Sequence, residues 1–191
     1  MSHNKDLLAI FDLDSTLVDT DAVNYAAYSA ALNKFGFSLL QDDFHKYCIG
    51  KSASYFLPKL TNSNDAALLS KIHAYKLQIY SQYLDKSILN KHVVNLLNSM
   101  SVSYHIALVT SASAKNCMEM IEFHKLTACF ELVITRDDVT KPKPSPEPFL
   151  KAMQYFDTIA KNTIIFEDSP TGVQAAHATG ANVIVVQPWH K

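Results

Sequence analysis

Two carboxylates, Asp12 and Asp14, stand one residue apart immediately after the apolar run Leu7-Leu8-Ala9-Ile10-Phe11. Buried carboxylates repel each other and are costly to desolvate unless a cation or a proton is shared between them. A second acidic pair, Glu167-Asp168, follows the run Thr163-Ile164-Ile165-Phe166. Two hydroxyls, Thr110 and Ser111, follow the run His105-Ile106-Ala107-Leu108-Val109, and a proline-spaced loop carries Lys141 and Lys143. If these groups meet, hard oxygen donors favour Mg2+ among divalent cations, and the hydroxyls and a lysine are suited to hold a phosphate. If they do not, Asp12 and Asp14 are only a polar turn with a helix cap.

The elements that carry them read as an α/β chain. Five apolar residues in a row fit a strand buried on both faces of a parallel sheet. After the Asp19-Thr20-Asp21 cluster, helical spacing runs from Ala22 to Phe35 and Gly36 closes it. Helices are then expected over Asp42–Tyr47, Ser52–Leu60 and a long Asn64–Tyr83, with no strand pattern between them. From there helices and strands alternate: helix Lys91–Met100, strand His105–Val109, helix Ala114–His124, strand Leu132–Ile134, helix Glu147–Phe156, strand Thr163–Phe166, helix Thr171–Thr179, strand Val183–Val186. Such alternation with apolar strands predicts a doubly wound, Rossmann-like parallel sheet. In that fold strand C-termini share one edge, where ligands bind, so the acids, hydroxyls and lysine converge there. The expected division is a core of residues 1–17 and 89–191 with an all-helical insertion of residues 18–88.

These residues, in this order, resemble the haloacid dehalogenase superfamily, in the helical-cap subgroup that includes β-phosphoglucomutase and sugar-phosphate phosphatases. The first motif is Asp12-Leu13-Asp14-Ser15-Thr16 and the second is Thr110 after its strand. The third fits Lys143-Pro144-Ser145-Pro146-Glu147 better than the loop beginning at Lys141, since only the former has an acid at the family's position. The fourth is Glu167-Asp168-Ser169-Pro170-Thr171-Gly172. The resemblance implies that Asp12 attacks phosphorus to form an aspartyl-phosphate, and that Asp14 serves as general acid and base. It implies Mg2+ held by Asp12, the Asp14 carbonyl and Asp168 with help from Glu167, and phosphoryl oxygens bound by Thr110, Ser111 and Lys143. An acid at Asp14 points to phosphate-ester chemistry, where a leaving alkoxide needs a proton. Asp19 reads as a helix cap and hinge residue, and Ser169 and Thr171 as caps of the following helix.

The chain also departs from the family. Ser15 replaces the glycine commonest in the first motif. Asn24 stands where β-phosphoglucomutase has a histidine, and Ala53, one position past Ser52, where it has a phosphate-binding arginine. Without that cation hydrolysis is favoured over transfer through a bisphosphate. In the insertion Asn24, Lys51 and Lys76 are candidate substrate contacts, the lysines being equally readable as surface groups. Relatives usually continue for another strand and helix beyond Val186, implying a compact or shortened version here.

Composition fits this reading. The chain has 191 residues, 48% hydrophobic and 18% charged, with a net charge of −1 and unclustered basic residues, which offers no footprint for nucleic acid. No apolar run reaches the ~20 residues of a membrane span. The N-terminus runs straight into the first strand, leaving no room for a signal peptide. Cys48, Cys117 and Cys129 form no CxxC, so reduced thiols in a cytoplasmic protein are expected. The leading expectation is a Mg2+-dependent phosphatase, monomeric or weakly self-associating, acting on a small phosphorylated metabolite such as a sugar or polyol phosphate. The alternatives are a β-phosphoglucomutase-like phosphotransferase and a catalytically idle module that binds a phospholigand or a protein.

Overall fold

The computed structural model describes residues 5–189. They form two compact units, one of residues up to Asp19 together with those from Ile88 onward, the other Thr20–Ser87.

The first unit is built on β1 (Leu7–Phe11), whose backbone pairs on both sides, with β4 (Tyr104–Val109) and with β6 (Thr163–Glu167). With β5 (Leu132–Ile134) and β7 (Asn182–Val185) they make a five-stranded parallel sheet of order β5-β4-β1-β6-β7. Leu8, Ala9, Ile10 and Phe11 have no solvent exposure, which explains the unbroken apolar run: both faces of this central strand are covered. Successive side chains alternate between the faces. Leu8 and Ile10 pack with Ala107, Val109, Phe149, Ala152, Ala175 and Ala176, which come from β4 and from helices α7 (Glu147–Tyr155) and α8 (Pro170–His177). Phe11 stacks flat on Phe166 of β6, ring centroids 4.4 Å apart. The register pairs Phe11 with both Leu108 and Phe166, so Asp12 emerges level with the ends of the neighbouring strands.

Two short strands escaped the sequence pattern, β2 (Val18–Asp19) and β3 (Ile88–Leu89), which pair antiparallel. Two residues are too few to show a period of two. Their pairing holds the points where the chain leaves and re-enters this unit side by side, and the units divide at 19/20 and 87/88. Asn90 secures the re-entry: its backbone donates to the Leu17 carbonyl at 2.8 Å and its amide to that of Thr16 at 3.1 Å.

The second unit is helical: α1 (Asp21–Lys34), α2 (Gln41–Tyr47), α3 (Ala53–Thr61) and α4 (Ala66–Ile79) around Tyr28, Leu32, Leu39, Phe44, Phe56, Leu57 and Ile72. The long helix expected over Asn64–Tyr83 is shorter. It starts after Asp65, whose carboxylate accepts from the amides of Ala67 and Leu68, and it tightens after Ile79 into a 3₁₀ segment, Tyr80–Lys86. Asp19 is not the cap of α1; that position is Thr20, whose side chain makes no capping bond, and Asp19 is buried in β2. No helix among the described residues is long and apolar enough to cross a membrane.

Candidate active site

The C-terminal edge of the sheet carries the site. Asp12 leaves β1 with its backbone amide donating to the Phe166 carbonyl at 2.9 Å, which fixes it beside the end of β6. The loop then turns tightly. Ser15 donates to the Val18 carbonyl at 2.7 Å and holds φ of 60°, a left-handed conformation that accounts for the family's glycine there. Thr16, fully buried, donates its hydroxyl to Asp168 at 3.3 Å and so ties the first motif to the fourth.

Lys143 sits at the centre. Its ammonium donates to Asp12 at 2.6 Å, to Glu167 at 2.7 Å and to the Val109 carbonyl at 3.0 Å, three acceptors from the ends of β1, β6 and β4. Its side chain is only 4% exposed. Lys141 is exposed and joins the structure by its backbone amide, so of the two lysines Lys143 is the one brought to the acids. Glu167, 1% exposed, gives one oxygen to Lys143 and the other to the amide and hydroxyl of Ser169, at 2.8 and 3.0 Å. Ser169 also caps α8 by accepting from Gly172. Thr171 lies inside that helix, and Ser169 alone is its cap.

The charges are crowded. Burial drives the Asp12 carboxyl well above the usual carboxylate range; Lys143 opposes this, while Glu167, Asp168 and Asp14 add to it. Burial, then Glu167, lifts Asp168 to about 7 even though Thr16 donates to it. Burial works against the charge on Lys143, but Asp12 and Glu167 outweigh it and raise its pKa. Cys117, buried behind the site, is pushed up to about 12 by burial and by Asp14 and Asp12, so it is a neutral thiol. A donor set of hard carboxylate oxygens under mutual repulsion suits a divalent cation, which would relieve that repulsion. Both Glu167 oxygens accept hydrogen bonds, from Lys143 and from Ser169, as one oxygen of Asp12 does from Lys143 and one of Asp168 from Thr16. Among the described residues no three acidic, histidine or cysteine side chains already surround a common point, as expected where an ammonium lies between two of the acids.

Thr110 is buried at the end of β4, its amide bonded to the Ile134 carbonyl and its hydroxyl oxygen accepting from Ala112 at 3.1 Å, which leaves the hydroxyl proton free to be donated. Ser111 is exposed beside it, and the cap of α6 (Ala114–Phe123) is Ser113. In the helical unit Lys51 is exposed. Lys76 is 6% exposed, its ammonium 4.2 Å from the centroid of Tyr80 and 5.0 Å from that of Tyr28. Asn24 donates to the Thr20 hydroxyl at 3.1 Å. The Val109 carbonyl was invisible in the sequence, since every strand end offers one. The Thr16–Asp168 link had a signal in the threonine of the first motif.

A parallel α/β core with acids, a threonine and a lysine at its strand ends defines a class of phosphoryl-handling enzyme. Residues 9–186 match the model of the haloacid dehalogenase-like hydrolase family. The chain belongs to that family, as an enzyme of its phosphatase class. It is 25% identical over 176 residues to the phosphorylated carbohydrates phosphatase of Thermotoga maritima, covering 90% of this chain and 80% of that protein. It is 26% identical to the phosphoglycolate phosphatase of Nitrosospira multiformis, covering 93% and 81% of the two. Its fold matches the solved structure of CbbY from Rhodobacter sphaeroides in complex with phosphate, with a TM-score of 0.80, 20% identity and coverage of 94% and 85%.

Proposed function

We propose that this protein is a Mg2+-dependent phosphatase of a small phosphorylated metabolite, a sugar or polyol phosphate, working through a phosphorylated Asp12. The observation that carries the reading is the Lys143 ammonium held between Asp12 and Glu167 at the sheet edge. The ammonium offsets part of the cost of keeping Asp12 anionic where it is buried, as a carboxylate nucleophile requires.

Asp12 attacks phosphorus as the carboxylate and the ester oxygen leaves. Asp14, which is half-buried, gives that oxygen a proton and then takes one from the water that hydrolyses the acyl phosphate. Lys143 passes from the carboxylates to the phosphoryl oxygens as charge moves outward, and the Thr110 hydroxyl and the Ser111 backbone N–H donate to the same oxygens. Asp12, the Asp14 carbonyl and Asp168, with help from Glu167, would hold Mg2+, which supplies charge neutralisation between carboxylate and phosphate. In the helical unit Asn24, Lys51 and Lys76 are the proposed determinants of which ester is accepted. The three free cysteines support a cytoplasmic enzyme, and we assign it as a monomer or weak homo-oligomer.

The deciding experiment is phosphate release from a panel of phosphometabolites, with and without Mg2+. The expected result is Mg2+-dependent release that vanishes in Asp12→Ala. Conversion of glucose 1-phosphate to glucose 6-phosphate without free phosphate would establish a mutase instead. No turnover across the panel, with Mg2+ bound, would leave a binding module.

A further inference from the structure

Lys143 cannot do its work unless the loop that carries it is held, and prolines at 142, 144, 146 and 148 deny this loop the ladder of a strand or helix. What closes it is a carboxylate. Glu147, the first residue of α7, accepts from the Thr140 amide at 2.8 Å with one oxygen and from the Lys141 amide at 2.9 Å with the other. The bonds span seven and six residues, and Lys143 lies within the ring they close. Inside it the Ser145 amide donates to the Pro142 carbonyl at 2.9 Å and the Glu147 amide to the Ser145 hydroxyl at 3.3 Å. The far side is rigid, because Phe149, two residues on, is fully buried in the sheet core and the Lys143 ammonium lies 4.8 Å from its ring centroid.

We propose that Glu147 is a positioning residue for the reaction: its bidentate grip on the Thr140 and Lys141 amides sets the depth to which Lys143 reaches toward Asp12. The inference rests on the reading of Lys143 as the phosphoryl-binding cation. A carboxylate accepting two amide protons makes charge-assisted bonds, about twice as strong as neutral ones. Its place at a helix start is favourable for the negative charge as well. The Thr140 bond, ahead of the others, holds the Glu147 carboxyl below its usual range, as expected if the anion is what the loop uses. Glu147 touches no reacting atom. It acts through the loop alone, on a lysine whose three bonds need a placement good to a fraction of an ångström.

The test compares wild type with Glu147→Ala and Glu147→Gln by amide hydrogen exchange, inorganic phosphate binding and Mg2+-dependent turnover of p-nitrophenyl phosphate. In Glu147→Ala the Thr140 and Lys141 amides should lose protection, phosphate affinity should fall about tenfold and kcat about 100-fold. Glu147→Gln keeps one acceptor and should lie between. If Glu147→Ala exchanges freely at both amides yet binds phosphate and turns over like wild type, the proposal is overturned. Should the alanine variant fail to fold, wild-type kinetics in Glu147→Gln with one amide deprotected would overturn it equally. Lys143→Ala separates the two readings: unchanged phosphate affinity there would sink the role of Lys143, whereas loss there and not in Glu147→Ala would sink the clamp.

Discussion

The Glu167 carboxylate lies so close against the Cα of Gly172 that a methyl group at 172 would occupy the place of the carboxylate itself. Gly172 has an ordinary helical backbone, so the glycine is required by proximity and not by conformation. Gly172→Ala should push Glu167 off Lys143 and Ser169, uncoupling the buried ammonium from one of its two acids. We expect a loss of about 2–4 kcal/mol in chemical denaturation and a fall in turnover to match, since a buried charge left partly unpaired is costly. Wild-type stability in this variant would show that Glu167 has another place to go.

Lys143→Met removes the cation and leaves Asp12 and Glu167 facing each other in a pocket under a tenth exposed. The expected cost is about 3–5 kcal/mol at neutral pH, seen by denaturant unfolding and partly recovered in acid as a carboxyl takes up a proton. Turnover should vanish.

The pH dependence has a definite sign. Asp168 titrates near 7 in the folded chain against an ordinary 3.8, so between these values the folded state holds a proton that the unfolded state has lost. Without metal, stability should therefore fall as pH rises from about 4 to 7, by at most about 1.4 kcal/mol per pH unit for one proton. Asp12, also raised, acts in the same direction. If Mg2+ binds the ionised acids, as proposed, its stabilising effect should be larger at pH 8 than at pH 5. Melting curves in EDTA and in Mg2+ at both values check this; an equal metal effect at the two pH values would count against Asp168 as a ligand.

The two cap lysines should behave differently. Lys51→Ala, at an exposed site, should leave the melting point within about 1 °C and change KM for the true substrate with little effect on p-nitrophenyl phosphate. Lys76→Ala empties a place between two aromatic faces and should cost about 1–3 kcal/mol in addition to any change in KM.

Much of this molecule was legible in its residues. The unbroken Leu7–Phe11 run, the alternation after Lys91, three motifs at strand ends and a fourth in the proline-spaced loop are local patterns, and period and composition are enough to place them. Short pairings such as Val18–Asp19 with Ile88–Leu89 carry no period, and the end of α4 at Ile79 lies in a stretch whose apolar spacing continues past it.

What the chain alone determined is which groups are candidates for the site: two acidic pairs, a threonine and a lysine, with Lys143 preferred over Lys141 by the acid that follows it. What only the tertiary structure decided is how they are shared out. Glu167 is committed to Lys143 and Ser169, Asp168 is tied to Thr16, and Glu147 closes the lysine loop. The physical reason is distance. Electrostatic and hydrogen-bond energies depend on contacts across 131 residues for Lys143–Asp12 and 152 for Thr16–Asp168, and no sequence spacing encodes those.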